Sequence, residues 1–294
     1  GCYFAWHHFL PSDGTLVLVR ANLEAKRSFI MTAVPALRVT DLCKSFSGIM
    51  AANNLNVEAA DGEIIGIIGA NGAGKTVFVN MITGYLKPTS GKIEFQGKDI
   101  TGIEPRNATH VGVCRSFQVS QVFMSMTVEE NLLTALSICK QAGRAMLQSP
   151  RAPDLLIECE KLMELYNITV HRDQVASTLS QGVRKLLDIA MAVVSNPKIL
   201  LLDEPTSGVS VEEKFGIMDI VIQALREQGA TVLFVEHDME IVERYVDRVL
   251  AFYQGEIICD APPAEALINP QVIEYVIGGE HAPNMNASED AIHA

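Results

Sequence analysis

Basic residues are scarce in this chain: 23 Lys and Arg stand against 35 Asp and Glu, a formal charge of -12. A balance of that sign argues against a nucleic-acid backbone as the main partner, because gripping phosphates along a strand needs clustered cations. Paired cysteines are missing as well. The six Cys lie far apart without a CxxC pair, so neither a zinc site nor a disulfide framework is indicated, and a reducing compartment fits. No stretch approaches the roughly 18–20 consecutive apolar residues of a membrane-spanning helix, the longest runs being pieces such as IIGIIGA and KILLL. Internal repeats are absent too.

What is there suffices for a core. At 294 residues and 48% apolar content the chain can form one large domain or two small ones. Its first residues, GCYFAWHHFLPSDG, do not read as a secretory signal, and Met31 reads as a plausible start, so residues 1–36 are expected to be a poorly ordered extension. The polar ending HAPNMNASEDAIHA marks 281–294 as a disordered tail.

From Leu37 onward, strand-like and helix-like segments alternate, as in an α/β domain with a largely parallel sheet. EIIGIIG (63–69) predicts a strand and KTVFVNMITG (75–84) a helix stopped by Gly84, with KIEFQ a further strand between turn signals. Between about 106 and 180 a helical subdomain is expected, on the periodicity of 155–166 and on Thr127 and Glu130 at capping-box spacing. The α/β pattern then resumes, with a helix over 183–194, a strand ILLL (199–202), a helix over 211–227, a strand TVLFV (231–235) and a hairpin turn in FYQGEII.

GANGAGKT (69–76) fits the spacing GxxxxGK[ST] at every fixed position, between a β-branched run and a helix-like segment. Gly69, Gly72 and Gly74 let successive backbone N–H groups converge on phosphate oxygens, and the helix N-terminus adds its positive end. Ala70, Asn71, Ala73 and Val77 complete the cradle. Lys75 is expected to reach the β- and γ-phosphates, and the Thr76 hydroxyl to ligate Mg²⁺. The plainer alternative is a Gly-rich turn with a surface lysine. ILLLDEP adds two carboxylates at a strand end, where α/β sheets bind ligands. Asp203 is expected to hold Mg²⁺ and Glu204 to polarise a water as general base; the rival reading has both merely capping the strand.

In order and spacing, GANGAGKT, LSQGVRK, ILLLDEP and FVEHD resemble the nucleotide-binding subunit of ABC transporters, over about residues 37–280. The resemblance implies an ABC ATPase fold: a P-loop NTPase core, an inserted helical subdomain and an N-terminal antiparallel β subdomain. It also implies ATP and Mg²⁺ as ligands. Phe46 then matches the aromatic that stacks on adenine, with a core role as the alternative. Gln118 matches the Q-loop glutamine that contacts Mg²⁺ or the attacking water, with Gln121 as a nearby rival. His237 matches the switch histidine at the γ-phosphate.

LSQGVRK stands where the family has Leu-Ser-Gly-Gly-Gln. Ser180 and Gly182 are retained, Gln181 and Val183 are departures, and Ser210 stands where the family has the aspartate of a dimer-contacting loop. In the family this turn binds ATP held on a partner ATPase subunit, so two chains complete each site. Further implied partners are integral membrane permeases and, through them, a solute-binding protein, with the chain peripheral at the cytoplasmic face. The apolar stretch Val122, Phe123, Met124 and Met126 reads as a groove for a permease helix, or alternatively as internal packing. Within the family, FQVSQVFMSMTVEENLLTA and VEHDMEIVERYVDRVLAF look most like ATPases of branched-chain amino acid importers. Urea and amide importers and a lipopolysaccharide exporter share much of the pattern, and an ABC ATPase without transport is the reading from another class.

Overall fold

Ile64–Gly69 is buried at every position, as a strand covered on both faces of a sheet must be. In the computed structural model, which describes residues 34–115, 122–141 and 152–278, this strand, β3, lies inside a six-stranded sheet. The expected N-terminal extension and C-terminal tail fall outside the described residues, apart from the short stretch 34–36.

Four N-terminal strands build a second, antiparallel sheet. β1 (Leu37–Phe46) pairs with β2 (Ile49–Ala59) and with β4 (Ser90–Phe95), which also pairs with β5 (Lys98–Asp99), in the order β2-β1-β4-β5. Between β3 and β4 comes helix α1 (Lys75–Ile82), ending before Thr83, with Gly84 at φ +81° just beyond. Helix α2 (Pro105–Val111) leads to β6 (Val113–Arg115), which pairs in parallel with β7 (Ile199–Asp203). The stretch from 106 to 180 is therefore not helical subdomain throughout. Its first ten residues belong to the core, because Val113 and Cys114 are buried against β7 as its edge partner.

Among the described residues the helical part proper contains α3 (Val128–Gln141), α4 (Pro153–Leu165) and the N-terminus of α5 (Gln181–Ala192). α6 (Val211–Gln228) then leads to β8 (Thr231–Val235), α7 (Met239–Tyr245) to β9 (Arg248–Tyr253), and a tight turn to β10 (Glu256–Ala261). At that turn Gln254 and Gly255 have φ of +48° and +82°, the left-handed pair a two-residue hairpin loop requires. The core sheet runs β10-β9-β3-β8-β7-β6, with β9, β3, β8, β7 and β6 parallel and β10 antiparallel at the edge.

Side-chain alternation divides this sheet between two cores. Ile65, Ile67, Leu201 and Leu233 pack toward α1 and the antiparallel sheet, while Ile64, Ile68, Leu200, Leu202 and Phe234 pack toward α5, α6 and α7. On the first side Phe78 of α1 meets Phe252 of β9, both fully buried, with ring centroids 5.4 Å apart. Burying an aromatic of this kind stabilises by about 1.5–3 kcal/mol, so α1 is anchored beneath the loop that precedes it.

The capping box expected at α3 forms: the Thr127 N–H donates to Glu130 Oε2 at 2.9 Å, and the Glu130 N–H donates to Thr127 Oγ1 at 3.2 Å. Next to it Asn131, wholly buried, accepts from the Phe123 N–H at 2.7 Å and donates to the carbonyls of Phe123 and Thr127 at 3.1 and 2.8 Å. Those bonds pin the 123–127 loop on α3 and leave Phe123 and Met124 about two-fifths exposed. Thr127→Ala removes one half of the box, so we expect a loss of about 1 kcal/mol and a fall in Tm of roughly 2–4 °C. Thermal unfolding followed by circular dichroism measures it, and an unchanged Tm overturns the assignment.

Candidate functional site

β3 ends at Gly69, and the chain must turn sharply through residues 70–74 before α1 begins at Lys75. A Cβ on Gly69 would lie 2.5 Å from the Phe252 carbonyl oxygen, and one on Gly74 would lie 2.8 Å from the Ala51 carbonyl oxygen. Glycine is required at both because β9 and β2 press on the loop. The Gly255 N–H donates to the Ala73 carbonyl at 2.9 Å, and the Asn53 N–H to the Gly255 carbonyl at 2.8 Å, so the β9–β10 turn ties the loop to the antiparallel sheet.

Over this loop opens a cleft of about 440 Å³. Its floor is Asn71–Val77, and its walls include Ala51 of β2, Arg115, Asp203, Glu204, Val235 and His237. Apart from Ala51, the wall residues stand at or just beyond the C-terminal ends of β6, β7 and β8, where a parallel sheet exposes its ligand-binding edge.

Lys75 is buried, which excludes the surface-lysine reading. Its Nζ donates to the carbonyl oxygens of Gly69 at 2.5 Å and Ala70 at 3.1 Å. Burial pushes its pKa below the ordinary lysine range, against the opposing pull of Glu204 and Asp203. The site therefore holds a poorly solvated cation at a helix N-terminus, a combination that favours a multiply charged anion.

Asp203 ends β7, and its Oδ2 accepts from Arg115 Nη2 at 2.5 Å while Arg115 Nη1 donates to Asn80 Oδ1 at 2.6 Å. Thr76 and Asp203 line the same cleft and both present oxygen, the donor type that Mg²⁺ takes. Glu204 follows at φ +47°, a left-handed conformation that costs a non-glycine residue on the order of 1–3 kcal/mol. Its N–H donates to the Val235 carbonyl at 2.9 Å, which fixes this turn against the end of β8. Glu204 Oε1 and His237 Nε2 are 3.4 Å apart, with both side chains partly open to solvent.

Loop, Asp203, Glu204 and His237 are thus gathered in one cleft, and three other expected residues are not among its walls. Phe46 sits at the end of the β1–β2 hairpin, 45% exposed, with the Lys44 ammonium 5.0 Å over its ring. That exposure excludes the core alternative. Ser180 caps α5, its Oγ accepting from the Val183 N–H at 3.3 Å. Gly182 is buried, and a Cβ there would lie 2.4 Å from Ile217 Cδ1, so within this chain its missing side chain makes room for α6. Gln118 and Gln121 lie outside the described residues.

Two residues that sequence reasoning passed over belong to the site. Arg115 served only as a spacing marker for Gln118, although it engages Asp203 directly. Glu236, beside His237, is almost wholly buried. The contacts of Arg115 with Asp203 and of Glu236 with Thr206 span 88 and 30 positions, so neither leaves a local signal.

Residues 52–207 match the family model described as ABC transporter. The high-affinity branched-chain amino acid transport ATP-binding protein LivG of Escherichia coli K12 is 34% identical over 250 residues, covering 83% of this chain and 98% of LivG. BraF of Pseudomonas aeruginosa, a protein of the same description, is 33% identical over 252 residues, covering 83% of this chain and 98% of BraF. Among solved structures, the ADP conformation of an ATP-binding cassette of an ABC transporter superposes with a TM-score of 0.73 at 33% identity, over 82% of this chain and 97% of that one. Part of the cbiONQ transporter complex, cbiO1 from Clostridium perfringens, superposes with a TM-score of 0.71 at 27% identity, over 81% of this chain and 92% of that one. The fold, the phosphate loop and these likenesses agree: the chain belongs to the ABC transporter family, as an ATP-binding and ATP-hydrolysing subunit.

Proposed function

We propose that this chain powers uptake of branched-chain amino acids or closely related small polar solutes. It acts as one of two ATPase subunits that close around two Mg-ATP molecules at the cytoplasmic face of the membrane. The observation that carries the cargo assignment is the likeness to LivG and BraF, which spans 98% of either relative. Among the described residues no helix is long and apolar enough to cross a membrane, so a permease subunit would provide the path.

In the proposed cycle, the N–H groups of 70–76 cradle the phosphates and the Lys75 ammonium exchanges the Gly69 and Ala70 carbonyls for phosphate oxygens. Thr76 and Asp203 would hold Mg²⁺, which when bound would supply positive charge against the phosphates. Glu204 takes the proton of the attacking water, and His237, 3.4 Å away, holds the γ-phosphate side of the same pair. Gln118 is assigned to the metal or the water as well. Phe46 stacks on adenine from the open hairpin end, and Ser180 with Gly182 forms the turn that meets the nucleotide of the second ATPase subunit. The exposed Phe123 and Met124 receive a helix of the permease.

Copurification of the full chain with its membrane subunits, followed by ATPase assays in liposomes, tests the cargo. Binding protein loaded with leucine, isoleucine or valine is expected to stimulate hydrolysis several-fold. Stimulation only by a urea- or amide-loaded protein, or by none, overturns the assignment.

A further inference from the structure

Glu236 is 3% exposed and lies outside the cleft, yet its neighbours carry the chemistry. A buried carboxylate is costly unless its oxygens are fully engaged. Here they are. Oε1 accepts from the Thr206 hydroxyl in a short bond and from the Thr206 N–H at 3.3 Å, whereas Oε2 accepts from the His237 N–H at 2.8 Å and the Asp238 N–H at 3.5 Å. One oxygen therefore serves the turn that leaves β7 and carries Glu204. The other serves the turn that leaves β8 and carries His237.

A second tie runs between the same two segments. Lys214, buried on α6 just beyond the first turn, donates to Asp238 Oδ2 at 2.5 Å and to Glu240 Oε2 at 3.1 Å. Lys185 of α5, also buried, has its pKa lowered by desolvation, against the opposing pull of Asp188 first and then Asp203, Glu236 and Glu204. Hydrogen bonds to an ionised acceptor are about twice as strong as neutral ones, so the carboxylate is a strong link between the two turns.

We propose that Glu236 is a positioning residue for hydrolysis: by bridging Thr206 to the His237 backbone, it sets the Glu204–His237 separation and holds the pair in register on the γ-phosphate. Catalytic groups must keep their geometry to within about 0.5 Å; the Glu204 N–H bond to the Val235 carbonyl fixes the backbone of the base against β8, and the Glu236 carboxylate adds the tie that reaches the His237 backbone itself. Among the described residues no hydrogen bond of the Glu236 side chain reaches the phosphate loop, and the Glu236 N–H, which donates to Ile67 of β3, is unaffected by a change of side chain. Nucleotide binding is consequently insulated from its loss, and the chemical step is not.

The inference rests on the roles proposed above for Glu204 and His237, and the test keeps the two apart. Glu236→Gln places an amide NH₂ against one set of donors, and Thr206→Val removes the hydroxyl donor alone. With the full-length chain, both variants are expected to lower kcat by about 10- to 100-fold, while the Kd for ATP and the KM stay within about twofold. Combined, they should cost little more than either alone, because they break one bridge. Glu236→Asp should recover part of the rate. Near-normal kcat in both single variants, a parallel loss of ATP affinity and kcat, or fully additive losses overturns the inference. If Glu204→Gln hydrolysed ATP normally, the reading of the catalytic pair itself would fall, whatever Glu236 does.

Discussion

Glu204→Gln is expected to bind ATP with near-unchanged affinity and to hydrolyse it at least about 100-fold more slowly. The glutamine keeps the size of the side chain, so the left-handed turn and the Glu204 N–H bond to Val235 persist. What it loses is the carboxylate oxygen 3.4 Å from His237, the one proposed to accept the proton of water. A positioned general base contributes about 10²- to 10⁴-fold to a rate, which sets the size of the effect. In the proposed cycle closure needs bound ATP and reopening needs its cleavage, so the variant should accumulate as a closed pair with Mg-ATP. Phosphate release and size-exclusion chromatography measure the two halves; near-normal turnover would refute Glu204 as the base.

Lys75→Ala is expected to weaken ATP binding by about 3 kcal/mol, roughly a hundredfold in Kd. The magnitude follows from burial. An ammonium in water gains little from a phosphate, but Lys75 is 6% exposed and already depressed in pKa by desolvation, so a polyphosphate would meet it at low local dielectric. AMP, which lacks the β- and γ-phosphates, should bind the variant and the parent about equally. Lys75→Met controls for the loosened loop, since it keeps the aliphatic stem while removing the donors to Gly69 and Ala70. Calorimetric titration decides it. An equal loss for AMP and ATP in both variants would mean that the lysine holds the loop and not the phosphates.

Much of this architecture was legible before any coordinates. The alternation of short β-branched runs with amphipathic stretches located β3, α1, β7, α6 and β8 to within one or two residues, because a strand buried on both faces and a helix buried on one leave different periods in the chain. The capping box at Thr127 and the hairpin at Gln254 and Gly255 were legible for the same reason: their hydrogen bonds and dihedrals depend on neighbours within three positions. Where the contact was distant, reading the sequence fell short. Val113–Arg115, three residues too short for a periodic signal, was placed in the helical subdomain, but it is an edge strand because β7 offers it a free ladder.

The same division runs through the site. By itself the sequence determined the local chemistry: a glycine-spaced anion loop, a lysine behind it, two adjacent acids at a strand end and a histidine after another strand. Only the tertiary structure decided how these meet. The order β9-β3-β8-β7 brings Glu204 beside His237, Arg115 onto Asp203, and the buried Glu236 between Thr206 and the His237 turn. It also decided why Gly182 is glycine within this chain, since Ile217 fills the space of its missing side chain. The reason is physical. Short-range propensities are written in neighbouring residues, whereas the partner of a carboxylate or the clearance at a glycine is set by which strands pack side by side, and adjacent residues carry no record of that.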